Sequence, residues 1–120
     1  MSTRAMIDVV NRDTGAVTYL YAGHDAYPSG VGRELFLFCR AFQDMKDMDS
    51  FSMKLLKMDV GIEMNPFGLE AWADYVYTIE FSQERPVNLI CQHVNSRGDN
   101  KRPTRERLDP PIDLEAAIFS

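Results

Sequence analysis

Positions 21–35 hold the residues whose types and spacing best suit chemistry, in the order YAGHDAYPSGVGREL. Gly30 and Gly32 come directly before a predicted helix, so we expect their backbone N–H groups to be free to point at an anion. Arg33 would add a full positive charge at the same place. The stretch therefore predicts a site for a small phosphate-bearing ligand or for an acidic group of a protein partner.

His24 and Asp25, earlier in the same loop, are close enough in sequence to transfer a proton between them. A purely structural interpretation stays open, because Pro28 ends a strand and the glycines supply positive φ in a turn. The pattern is neither a Walker loop nor a full GxGxxG fingerprint, so its specificity is low. The predicted ligand- or partner-binding residues are His24, Asp25, Tyr27, Gly30, Gly32 and Arg33.

Motifs for catalysis are weak in this chain. Ser29 shares the loop with His24 and Asp25, which are the residue types of a nucleophilic triad. Their spacing within one turn matches no known nucleophile elbow. We therefore predict no catalytic residues, and the sequence favours a non-enzymatic role.

A metal site could be assembled from Cys91 and His93, on one face of a predicted strand, with Cys39 and His24. The C-x-H spacing lacks the paired C-x-x-C that marks zinc sites. Both cysteines fall in apolar segments of a chain without an export signal, so we expect buried, reduced thiols rather than a disulfide. The sequence predicts no metal and no cofactor.

The elements that position the loop begin with a hairpin. Alternating apolar and β-branched residues predict strands over 4–11 and 16–22, with Gly15 in the turn between them. Apolar residues at helical spacing then predict a long helix from 32 or 33 to about 45. A short helix over 51–58 follows a break that contains capping residues.

The second half of the chain predicts a second hairpin. Residues 59–68 are interpreted as loop, and strands are predicted over 72–81 and 87–94. The predicted fold class is α+β, an antiparallel sheet from two β-hairpins packed against one long and one short helix. The predicted element order is β-β-α-(α)-β-β.

Charge divides the chain into a body and an arm. The net charge is −5, but the segment 97–107 alone is +3, which leaves −8 on the remainder. We predict a single domain over 1–96 and a basic, proline-bearing arm over 97–120 that ends in a short docked helix. Three alternatives are open for such an arm. It binds an acidic macromolecular partner, it folds back on the protein's own body, or it is a solvated tail. Its predicted partner-binding residues are Arg97, Lys101, Arg102, Arg105 and Arg107.

Bulk properties exclude several classes of protein. A chain of 120 residues suits one domain. It has no apolar run near the ~20 residues that span a bilayer, and no signal peptide, so we expect a cytoplasmic protein without a membrane partner. Its acidic balance disfavours direct binding of duplex nucleic acid, whose affinity depends on neutralised phosphates.

The first third of the chain resembles a known family. The start MSTRA, the strand that follows, and the loop YLYAGHDAYPSGVGREL are similar to short proteins carried by phages, prophages and their bacterial hosts. Members of that family open with Met-Ala-Thr-Arg or a close variant and carry a HWDGYP-type segment. Here no tryptophan separates His24 from Asp25, and Ala26 stands where a glycine is usual. Tyr75 and Tyr77 are similar to the family's aromatic strand.

The resemblance implies a mobile-element setting in the cytoplasm of a host cell. Small acidic proteins in that setting often inhibit host defence stoichiometrically by presenting carboxylates to a nucleic-acid-binding surface. We therefore expect a binding protein that inhibits a host protein complex through its acidic body and the loop. One alternative is an enzyme or sensor that binds a small phosphorylated ligand at Gly30 and Gly32. The other is an oligomeric structural accessory protein that uses the exposed edges of its sheet.

Overall fold

The computed structural model describes residues 3–65, 68, 70, 72–95 and 102–119. In this part of the chain, five strands form one sheet in the order β3-β2-β1-β4-β5. The strands are β1 Ala5–Asn11, β2 Val17–Ala22, β3 Ile62–Met64, β4 Tyr75–Phe81 and β5 Asn88–His93. The helices are α1 Arg33–Ala41, α2 Met48–Leu56 and α3 Leu114–Phe119. A π-type turn at Pro28–Gly32 precedes α1, and a 3₁₀ turn lies at Thr104–Glu106.

The predicted α+β class is confirmed, but the predicted antiparallel sheet and its element order are wrong. Both predicted hairpins form, β1 with β2 and β4 with β5. They join through a parallel pairing in which Ala5 of β1 lies opposite Tyr75 of β4, so the sheet is mixed. The physical reason is that β1 is buried from Ala5 to Val9 on both faces, as suits a central strand with a neighbour on each side.

Two further elements differ from the prediction. The segment interpreted as loop contains β3, which pairs antiparallel with β2 and lies at the edge of the sheet. The helix predicted to reach residue 45 ends at Ala41, because Phe42 leaves helical geometry (φ −115°, ψ 29°). As a result, α1 and α2 have nine residues each and are not a long and a short helix.

The helices cover one face of the sheet and build the main core. Phe51 of α2 is fully buried, and its ring meets the edges of Phe38 on α1 and Phe81 on β4, each with 4.9 Å between ring centroids. Such perpendicular contacts suit aromatic quadrupoles. Asp47 caps α2 by accepting hydrogen bonds from the N–H groups of residues 49 and 50. This packing fixes the helices on the side of the sheet where the loop emerges.

The opposite face of the sheet is covered by the C-terminal segment. Leu108 packs against a second, smaller core that contains Met6, Val76 and Val94. Isolated bridges join Val94 to Leu108 and Cys91 to Ile112, so the segment also shields part of the outer edge of β5. Among the described residues, no helix is long and apolar enough to cross a membrane.

Candidate functional site

The loop between β2 and α1 has a defined backbone. Asp25 adopts a left-handed conformation with φ of 54°, which aspartate tolerates better than most side chains. Its carbonyl accepts the N–H of Val31 (2.8 Å), and the N–H of Gly30 donates to the carbonyl of Tyr27 (2.9 Å). The residue of the loop that takes the left-handed conformation is thus Asp25 and not Ala26, where the similar family has a glycine. Ala26 is fully buried.

A residue of strand β4, Tyr77, contacts the loop and holds it against the sheet. The buried hydroxyl of Tyr77 donates to the carbonyl of Ala26 at 2.7 Å. Gly32 lies so close that an added Cβ would stand 2.7 Å from that hydroxyl oxygen. A Cβ on Gly30 would stand 2.2 Å from the carbonyl oxygen of Asp25. Both glycines thus permit close packing of the loop, as the structural interpretation expects.

The expectation of free backbone donors at Gly30 and Gly32 is wrong. The N–H of Gly32 donates to Tyr27 (3.3 Å), and that of Arg33 donates to the carbonyl of Gly30. With the Gly30 donor also engaged in the loop, an anion bound here would have to compete with these acceptors. Positive charge at this helix start therefore comes from side chains.

A surface depression of about 440 Å³ lies between the loop, the start of α1 and the turn at 59–61. Five ionisable side chains line it: His24, Asp25, Arg33, Glu34 and Asp59. None of the five forms an ion pair or a side-chain hydrogen bond with another described residue. The predicted His24, Asp25, Gly30 and Arg33 are thus brought together, whereas Tyr27 and the buried Gly32 are not among the lining residues.

The turn at 59–61 is a part of this site that the sequence did not reveal. Gly61 adopts φ of 77°, and a Cβ there would stand 2.9 Å from Cε1 of the His24 ring. Glycine is therefore favoured by the backbone, and any larger residue would also displace the exposed His24 ring that lies against it. The only available signal was Gly61 itself, since nothing in the sequence places it beside a residue so distant in the chain.

The two cysteines are buried free thiols, as predicted. Burial raises the pKa of Cys39 to about 12 and that of Cys91 to about 11. Both thiols are therefore protonated at neutral pH and are poor nucleophiles. Among the described residues, no group of three or more histidine, cysteine or acidic side chains could hold a metal ion.

Arg105 of the predicted arm binds the protein's own sheet. Its Nε and Nη2 donate to the two carboxylate oxygens of Asp8, at 2.7 and 2.8 Å. It also pairs with Glu70 and lies over the ring of Tyr19, 5.1 Å from the centroid. The hydrogen bonds to Asp8 raise the pKa of Arg105 further, so it stays charged. Of the alternatives for the arm, the described part shows the one in which it folds back on the body.

Arg107 makes a different contact on the same side of the sheet. Its guanidinium lies 5.4 Å from the ring centroid of Trp72, and its buried Nε and Nη1 have no hydrogen-bond acceptor among the described residues. Arg102 is exposed, and Arg97 and Lys101 lie outside the described residues. One sequence signal for this docking was missed, because Asp8 is a single carboxylate within the apolar strand β1.

Comparison with models of known protein families, with curated proteins and with solved structures found no match.

Proposed function

We propose that the protein is a non-enzymatic binding protein and that its contact surface is the depression rimmed by the loop and the turn at 59–61. The observation that carries this proposal is the set of five ionisable side chains, unpaired among the described residues, that line a depression beside a loop whose backbone is held by Tyr77. Charged side chains that have no partner in the described part of the chain are available to a partner molecule. This surface is called the loop surface below.

The fixed backbone supports binding more than catalysis. The hydrogen bonds at Asp25, Ala26 and Tyr27 hold the loop in one conformation before any partner arrives. A surface ordered in advance loses less conformational entropy when it binds. The buried, protonated thiols offer no nucleophile beside it.

The partner we propose has a basic surface and belongs to a host-defence complex that binds nucleic acid. Three carboxylates, those of Asp25, Glu34 and Asp59, face one arginine and one histidine at the loop surface. Together with the net charge of −5, this balance favours a cationic partner. The mobile-element setting and the host cytoplasm rest on the resemblance of the N-terminal third.

A pull-down from a lysate of the host, with the wild-type protein beside the double variant His24→Ala/Arg33→Ala, tests the proposal. We expect the wild type to retain one abundant complex that the double variant loses. His93→Ala/Arg85→Ala is the matched control, because it removes the same residue types and neither residue lines the loop surface. Equal capture by all three proteins would exclude the loop surface as the contact.

The acidic contribution is tested separately by reversing Asp44, Asp49 and Asp59 to lysine. Asp47 is left unchanged because its carboxylate caps α2, and its replacement would disturb the fold. Hydrogen bonds from Ser50 and residue 49 hold the pKa of Asp47 below its usual range. If the triple reversal binds the captured complex as tightly as the wild type does, these three carboxylates are not part of the contact.

A second candidate, an enzyme or sensor for a small phosphorylated ligand, is favoured only by the unpaired side chains of Arg33 and His24 at the rim. Thermal shift with a panel of nucleotides tests it. A ligand present at 100 times its Kd stabilises the folded state by about 2.7 kcal/mol. A panel that leaves the melting temperature unchanged at millimolar concentration would remove this candidate.

A further inference from the structure

The outer edge of β5 is covered only in part. Backbone groups of alternate residues in an edge strand point away from the sheet. On β5 these are the groups of residues 89, 91 and 93, because the carbonyls of Cys91 and His93 accept the N–H groups of Ile112 and Asp109. One step before the strand, the N–H of Val87 donates to the carbonyl of Gln43.

Leu89 lies between these two anchored stretches. No described residue supplies a partner for its outward N–H or C=O. The C-terminal segment could have continued along the edge, but it turns away after Ile112 to start α3. One donor and one acceptor of the sheet are thus left for another chain.

A groove of about 370 Å³ runs along this open part of the edge. Its apolar lining consists of Phe36, Cys39, Val87, Leu89, Ile112 and Leu114. An extended chain in the groove would bury alternate side chains against this lining while its backbone paired with Leu89.

The rim of the groove is charged. Asp113 and Glu115 line one part of it and Arg40 lines another, and neither Glu115 nor Arg40 is paired with another described residue. Two carboxylates against one guanidinium, on a chain of net charge −5, favour a positively charged occupant.

We propose that the β5 edge at Leu89 binds an extended segment of a partner protein, with apolar side chains at alternate positions and a lysine or arginine that meets Glu115. This site is separate from the loop surface, so it adds a second contact to the binding role. A second copy of the chain and an acidic segment are the competing occupants.

The first test is hydrogen exchange of the free protein, followed residue by residue by NMR. The Leu89 amide exchanges rapidly, while the Ile90 amide, which faces Thr78 of β4, is protected. Protection of Leu89 that grows with protein concentration would assign the edge to a second copy and overturn the proposal.

The second test titrates the protein with short capped peptides that alternate valine with lysine, and valine with glutamate. The lysine peptide binds, slows exchange of the Leu89 amide, and shifts the NMR signals of Leu89 and Asn88. Methylation of its backbone nitrogens abolishes binding, because the pairing with the edge is lost. Stronger binding of the glutamate peptide, or shifts confined to another surface, would overturn the proposal.

Glu115→Lys is the charge variant and Glu106→Lys its matched control, since both glutamates are exposed and each change alters the net charge equally. We expect Glu115→Lys to weaken the lysine peptide about five- to tenfold and Glu106→Lys to have little effect. Equal affinities for the two variants would remove Glu115 from the site. Leu89→Pro removes the outward N–H together with the leucine side chain that packs against the main core, so it should abolish pairing, and a cooperative unfolding transition checks that the variant folds.

Discussion

The hydroxyl of Tyr77 donates to the carbonyl of Ala26 across 2.7 Å, from a ring that is fully buried on β4. Burial raises the pKa of this phenol, so the hydroxyl keeps its proton and remains a donor above the pH at which an exposed tyrosine ionises. It is a side-chain contact that holds the loop against the sheet. At the residue scale, the conformation of the loop surface therefore depends on Tyr77, although Tyr77 does not line that surface.

Replacement of Tyr77 by phenylalanine should destabilise the protein by about 1–3 kcal/mol, because the Ala26 carbonyl loses its buried donor. Urea unfolding measures the loss. Tyr21→Phe is the control, since its hydroxyl has no hydrogen-bond partner among the described residues. Similar midpoints for the two variants would show that the hydroxyl of Tyr77 contributes nothing to stability.

Cys39 makes stability depend on pH above neutrality. Its thiol has a pKa near 9.0 in the unfolded chain and about 12 in the folded protein, because burial disfavours the thiolate. The folded state thus holds a proton that the unfolded state releases. Its contribution is complete below pH 9 and declines above it by about 1.4 kcal/mol per pH unit.

Urea unfolding of wild type and Cys39→Ala at pH 8 and pH 10 checks this expectation. The wild type should lose more stability between the two pH values than the variant does. Cys91 shifts in the same direction, so the variant retains part of the decline. Equal losses would mean that Cys39 ionises as readily in the folded state as in the unfolded chain.

At the element scale, the C-terminal segment is attached to the sheet by a partly buried ion pair. Asp8 is 8% exposed, so Arg105→Ala leaves a carboxylate with its main partner removed. We expect a loss of about 2–4 kcal/mol in unfolding free energy, together with faster hydrogen exchange over 104–112. Arg102→Ala, at an exposed position, is the control. Equal stability of both variants would contradict a fixed segment.

Local elements could be predicted from the sequence because their signals are local. Alternation of apolar residues and a glycine turn predicted the hairpin of β1 and β2, and an apolar stripe predicted α1. β3 could not be found this way, since only Ile62 of its three residues is buried. Pairing alone, not periodicity, makes that segment a strand.

Sheet order was not predicted, because neighbouring strands meet through contacts between distant residues. Met6, Ile7 and Val9 put apolar side chains on both faces of β1, and that pattern was the available sign of a central strand. Only part of the candidate site was predicted, because contacts between distant residues also build the site. His24 and Arg33 lie in one loop, whereas Asp59 and Gly61 reach it only through the fold.

At the scale of the whole molecule, the segment 102–119 contributes apolar side chains to both faces of the sheet. Truncation after residue 95 would remove Leu108 from the second core, Leu114 from the main core and Ile112 from the edge of β5. We expect the shortened protein to associate and to lose its cooperative unfolding transition. Light scattering and thermal unfolding measure both effects. A monomer that melts like the full chain would instead make residues 1–95 an independent domain.

The parallel pairing of β1 with β4 sets a condition on how the chain folds. Ala5 pairs with Tyr75, so the central pairing waits until β4, about seventy residues further along the chain, has been made and brought to β1. Closing so large a loop costs entropy before any contact forms, which slows folding relative to a pair of hairpins. During synthesis, the first hairpin therefore emerges with the inner edge of β1 uncovered. The chain is most open to mispairing in that interval, well before its C-terminal segment exists.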